Sequence, residues 1–210
     1  MRSIALLSVF TWATLMSCNN NTSTTPEIVL TLSISGKINC PNRTLTTLNP
    51  SEYLITLTDS SGVEQQTRPT ADCKYTFNNL EEGHNYNLKV VRTPPSSGVI
   101  LSATAMENYL AQNPLPRRTD LGLVAADVNK DGEIDATDVL HVKRFVNNIT
   151  PSLPAGGLWR FVPSVWLNAN NNFNANNNYG RWLIPNLRAN VSNFDIIQVQ
   201  YSDIDLTNCN

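Results

Sequence analysis

From Ile28 to about Thr93, apolar residues recur at every second position. The stretch IVLTLSIS sets Ile28, Leu30, Leu32 and Ile34 against smaller or polar neighbours, and YLITLTD, KYTF and NYNLKVV repeat the rhythm. A period of two is that of half-buried β-strands. Between the runs lie DSSG (59–62) and NLEEGHN (79–85), where Gly62 and Gly83 can take the positive φ that tight connections need. Short strands with this punctuation predict an antiparallel sandwich over 28–93. RTPPSSG (92–98) then has the stiff, polar composition of a linker, with 94–98 at its centre. Past it the period lengthens to that of a helix. LSATAMENYLAQ lines up Leu101, Ala105, Tyr109 and Ala111 with Met106 and Leu110, and stops at Asn113-Pro114. VLHVKRFVNNI does the same through Val139, Val142, Val146 and Ile149, widened by Leu140 and Phe145. Neither helix can bury its stripe alone, whereas the two together can. The pattern predicts an α+β chain of two modules, a β-sandwich followed by a small α-helical unit over 99–210.

The first residues stand apart. Arg2, the apolar run IALLSVFTWATLM, then Ser17 and Cys18 make a charged, an apolar and a small-residue region in the order of an export signal over 1–17. The run is shorter than the ~20 apolar residues of a spanning helix. It resembles a bacterial lipoprotein signal: Leu15 and Ser17 take the lipobox positions before Cys18, although Met16 is a less usual middle residue. The resemblance implies lipidation at Cys18, a polar tether over 18–27, and a chain held to a bacterial membrane, on the periplasmic side of an outer membrane or at the cell surface. An ordinary cleaved secretory peptide or a short uncleaved anchor gives the same pattern without the lipid. In an oxidising compartment cysteines pair, and Cys40 and Cys73, both in the β-rich half, are the expected disulfide. Cys209 is then free or paired late. The net charge of −2 provides no basic stripe for a phosphate backbone, so nucleic acid is not an expected partner.

DVNKDGEIDATD, residues 127–138, holds the densest chemistry. Numbered as a loop of twelve, it places Asp127, Asn129 and Asp131 at positions one, three and five, with side-chain oxygens turned inward. Gly132 falls at six, where the chain must turn sharply. Glu133 at seven offers its carbonyl, Asp135 at nine binds directly or through water, and Asp138 at twelve closes the shell. That spacing of oxygen donors is the one by which an EF-hand-like loop holds Ca²⁺. With no C-x-x-C or paired-His spacing, and with His84 and His141 far apart in sequence, zinc is not expected.

An Asp rather than Glu at position twelve, leading straight into a helix, gives DVNKDGEIDATDVLHVKRFV a close resemblance to the repeat of type I dockerins. The resemblance implies a cohesin-like protein partner, touched in that family by the residues before the last ligand and by a basic pair on the helix. Those positions are Ala136, Thr137, Lys143 and Arg144 here; a solvated helix face is the plainer reading of the last two. A second intact repeat is missing. GVILSATAMENYLAQ matches a repeat's helix without acidic ligands, and NFDIIQVQYSDID resembles a final helix, with Asp203 and Asp205 as remnants of a second loop. AADVN and WRFV are shared with a group of Bacteroidetes-type surface proteins that often place a sandwich before a dockerin-like part. ISGKI, YLITLTDSSG and YTFNNLEEGHNYNLKVV resemble the prealbumin-like sandwiches of carboxypeptidase regulatory-like and collagen-binding B-type families.

Within 151–190, an insertion in the helical unit, Trp159, Phe161, Trp166, Phe173, Tyr179 and Trp182 alternate with asparagines. Exposed, they would stack on a glycan; more commonly such residues form the core of an irregular loop. No nucleophile elbow, phosphate loop or H-E-x-x-H helix occurs, so no catalytic residue is expected. The sequence therefore points to a non-catalytic, exported lipoprotein with a calcium-stabilised interaction module on a sandwich stalk. A glycan-binding accessory protein is the alternative, and a polysaccharide hydrolase a more distant one.

Overall fold

The computed structural model describes residues 31–41, 48–93, 101–112, 120–167, 181–203 and 206. The signal, the tether with Cys18, the 94–98 linker, Phe173, Tyr179, Asp205 and Cys209 lie outside the described residues.

The strands announced by alternation form where alternation places them. β1 (Thr31–Asn39), β2 (Tyr53–Asp59), β4 (Lys74–Glu81) and β5 (Tyr86–Arg92) turn Leu32, Ile34, Ile38, Tyr53, Ile55, Leu57, Phe77 and Leu88 into one core. β3 (Glu64–Thr67) was not legible, because EQQT has no apolar residue and forms by pairing along the edge of β2. The turn 59–62 is held by Asp59, whose Oδ1 accepts from the N–H groups of Ser61 and Val63, and Gly62 takes φ 89°.

The sandwich is completed from beyond the helices, which corrects the predicted boundary. β6 (Trp159–Pro163) and β8 (Ile196–Gln200) extend one sheet in the order β4-β1-β8-β6, and β7 (Trp182–Ile184) extends the other in the order β3-β2-β5-β7. Residues 28–93 therefore hold only part of the sandwich, and 99–210 is not one helical unit. Nor is the sandwich wholly antiparallel, since β1 and β8 run parallel, Ile38 beside Ile196. Ile196–Gln200, which resembled a final helix, is a strand. The period could not reveal these elements because β6 is buried at every position and β8 buries Gln198 and Gln200 beside its apolar residues. A strand covered on both sides loses its alternation. Gln198 finds its partner across the core, where Tyr53 Oη donates to its Oε1 at 2.7 Å.

The Cys40–Cys73 bridge is not made. Cys73 is buried and keeps its thiol, and burial pushes its pKa up. Its carbonyl accepts from Ile38 N–H at 2.9 Å, so it sits two residues short of Cys40, whose Sγ instead approaches Gln198 Nε2 of β8 at 3.6 Å. Cys40 itself is disulfide-bonded, and not to Cys73.

Between β5 and β6 the chain forms α1 (Ala103–Leu110), α2 (Asp120–Ala126) and α3 (Ala136–Val146). Met106 and Tyr109 pack on Val139 and Val142, as the two stripes predicted, and Tyr201, just after β8, closes the same cluster. A further short helix, α4 (Ser164–Leu167), follows β6. Among the described residues no helix is long and apolar enough to cross a membrane.

Candidate functional site

The twelve-residue loop joins α2 to α3, and its backbone bends where the sequence demanded. Gly132 has φ 90° and Lys130 φ 65°, the left-handed values that gather a loop around a centre. Lys130 is a costly place for that conformation. Its ammonium donates to the Ala155 carbonyl at 3.0 Å, which anchors the loop to the segment before β6.

Asp138 organises the far side. Its Oδ1 accepts from the N–H groups of Val128 and Asn129 at 2.8 and 3.1 Å, and its Oδ2 from that of Asp135 at 3.1 Å. Asp135 in turn caps α3, its Oδ1 accepting from Thr137 N–H at 2.6 Å, and the two acids form a capping box. Asn129 and Asp131 bond each other and the loop backbone, and the Glu133 N–H donates to Asp131 Oδ1 at 2.9 Å. Among the described residues no three His, Cys, Asp or Glu side chains converge as a finished metal cage. The oxygens of Asn129, Asp131 and Asp138 are engaged by N–H groups instead.

Asp127 differs from the others. It is wholly buried, and neither carboxylate oxygen has a hydrogen-bond partner at full contact distance, although the backbone N–H groups of Gly132 and Lys130 act on it. Its nearest compensation is the Arg160 guanidinium of β6, 3.8 Å away. Burial raises its pKa, opposed by Arg160, and burial likewise raises that of Asp138. A buried carboxylate so weakly partnered is expensive, and a hard cation bound at this end of the loop would remove the cost. The donor set and Asp127's two weakly partnered, buried oxygens fit a calcium ion.

Arg160 was missed in the sequence as a functional position. Its Nη1 donates to the carbonyls of Val124 and Asp127 at 3.0 and 3.2 Å, at the C-terminal end of α2, so one sandwich residue fixes the entry to the loop. Its place in WRFV is the only signal, read above as a shared motif without a role.

The residues expected to meet a partner, Ala136, Thr137, Lys143 and Arg144, are all exposed on α3. Lys143 makes an ion pair with Glu107 of α1. Beside them the predicted apolar stripe overshoots the core: Leu140, Val146 and Ile149 are 44%, 50% and 68% exposed. Between α1 and α3 runs a cleft of about 520 Å³ with Leu110, Ala111, Val139 and Leu140 in its walls. In contrast, Trp159 and Phe161 are spent in the core of the sandwich, and Trp182 donates its Nε1 hydrogen to the Phe161 carbonyl.

Residues 101–147, covering α1, α2, the loop and α3, match the family model described as the dockerin type I domain. Dockerins of this type are calcium-binding protein–protein interaction modules. No curated protein and no solved structure matches the chain.

Proposed function

We propose that this chain is an exported, lipid-anchored, non-catalytic protein whose dockerin-like unit, stabilised by calcium, engages a protein partner while the β-sandwich supports it at a bacterial surface. The observation that carries the reading is the coincidence, within 101–147, of the family match, the twelve-residue oxygen loop and an exposed apolar strip on α3. A hydrophobic centre with a polar, charged rim is the usual anatomy of a protein-binding face. Leu140 and its apolar neighbours supply the centre, and Ala136, Thr137, Lys143 and Arg144 the rim. The partner is a cohesin-like domain or another surface protein of matching shape.

Asp127, Asn129, Asp131, the Glu133 carbonyl, Asp135 and Asp138 would hold the calcium. The ion supplies the positive charge that lets these oxygens face one another. Asp135 and Asp138 already tie the loop to the first turn of α3, so ordering the loop orders the helix that presents the partner face. Extracellular calcium sites of this type bind at ~10⁻⁴ to 10⁻³ M. At ten times the dissociation constant, calcium is expected to stabilise the fold by about 1.4 kcal/mol.

Calorimetric titration of the purified chain with calcium, and of Asp127→Ala, tests the metal. A saturable heat is expected in the first and its loss in the second; no heat with the wild type refutes the reading. Retention of a surface-protein partner on the immobilised chain tests the face. Retention that requires calcium and disappears in Leu140→Asp supports it, and retention indifferent to both counts against it. The glycan alternative is weakened by the burial of Trp159 and Phe161, which leaves neither ring free to stack on a sugar.

A further inference from the structure

β7 pairs with β5 only along Tyr86–Leu88. Beyond Leu88, among the described residues, that side of β5 has no strand, and a cavity of about 690 Å³ opens there between Lys89–Arg92, the 155–157 segment and β6. This is within the ~300 to 1,000 Å³ of small-ligand sites. Among the described residues its wall carries Lys89, Arg92, Lys130, Arg160 and Arg181 and no carboxylate, in a chain whose net charge is −2. Arg92 is held by Glu52, Nη2 to Oε2 at 2.9 Å, and Arg160 lies 3.8 Å from Asp127. Lys89, Lys130 and Arg181 have no ion pair among the described residues, so three positive charges are in excess at one concave surface. Like charges gathered in a cavity repel unless an anion joins them, and low-dielectric walls focus their field on whatever enters.

Hydrogen bonding points the same way. The Arg92 guanidinium lies 4.2 Å from the centre of the Trp159 ring and 5.2 Å from that of Tyr53. Rings and Glu52 fix the fork in place, yet its Nη1 is buried without an acceptor, and so is Trp159 Nε1. Both residues line this cavity. Buried N–H groups in native proteins nearly always have an acceptor, and guanidinium forks are matched in shape to carboxylate and phosphate.

We propose that this cavity binds the oxyanion group, carboxylate or phosphate, of a small organic ligand. Arg92 and Trp159 supply the fixed donors, and Lys89 and Arg181, both exposed, attract the ligand at the mouth. The site is separate from the partner face on α3 and does not depend on the proposed function.

The test is calorimetric titration of the purified chain in calcium-free buffer with galacturonate, inorganic phosphate and galactose. Saturable binding of galacturonate or phosphate, weakening at high salt and absent for galactose, is expected; whichever of the two binds more tightly identifies the source of the oxyanion. Lys89→Gln combined with Arg181→Gln should weaken binding about tenfold or more without moving the melting temperature. Lys74→Gln, outside the cavity, should leave binding as it is. The proposal is overturned if neither anion binds better than galactose, if the double variant binds as well as the wild type, or if Lys74→Gln weakens binding equally.

Discussion

At the scale of single residues, a few side chains and one missing one set the sandwich. A Cβ on Gly36 would lie 2.2 Å from the Phe194 carbonyl oxygen, which is backbone and cannot step aside. Gly36→Ala should therefore destabilise the protein by about 1 to 3 kcal/mol or more, read from the urea midpoint. Hydrogen bonds from Ser61 hold the Asp59 carboxyl below the ordinary value of 3.8. A depressed folded value means that this stabilisation is present above the unfolded pKa and fades as pH falls through the lower folded one. Carboxyl NMR should find Asp59 still ionised where an ordinary aspartate is protonated, and Ser61→Ala should move it back up. For the cysteines, alkylation after unfolding without reductant should label Cys73 and leave Cys40 unmodified. A linked Cys40–Cys73 peptide would contradict the fold described.

At the scale of elements, α3 shows how little of a helix lies in its stripe alone. Its eleven residues begin in a reciprocal cap between Asp135 and Asp138, and the same Asp138 carboxylate closes the loop onto Val128 and Asn129. Asp138→Ala removes all three acceptor contacts from a buried place and should cost about 1 to 3 kcal/mol, whereas Asp135→Ala loses a more exposed cap and should cost about 1 kcal/mol. Thermal unfolding of the two variants without metal checks the order. The loop and both amphipathic helices were legible because their signals are local: oxygen spacing, one glycine and a 3.6 period. The exposure of Val146 and Ile149 was not, since periodicity states which residues share a face and not whether a neighbour covers all of it.

At the scale of the whole molecule, the dockerin-like unit lies between β5 and β6 of one discontinuous sandwich. Arg160 of β6 touches the loop's first acid, and Tyr201 after β8 packs into the helical core, its neighbour Ser202 accepting at Oγ from Ser102 N–H at the cap of α1. Calcium is thus expected to shift one cooperative thermal transition of the whole chain instead of a separate transition of its C-terminal half. Calorimetry checks this, and two transitions with only one sensitive to calcium would contradict it. A chain ending at residue 158 lacks β6, β7 and β8, and should lose the cooperative unfolding of the sandwich as well.

What the amino-acid order determined by itself is whatever depends on near neighbours: alternation in β1, β2, β4 and β5, the stripes of α1 and α3, the sharp turn at Gly132 and the oxygen pattern around it. What only the tertiary structure decided depends on residues far apart. β8 enters beside β1, Cys73 faces Ile38 instead of Cys40, Trp159 goes into the core, and five cations gather where β7 ends. A strand buried on both faces, a register two residues away from a bridge and a cavity between sheets have no local period. They exist only once distant segments have met and excluded water between them.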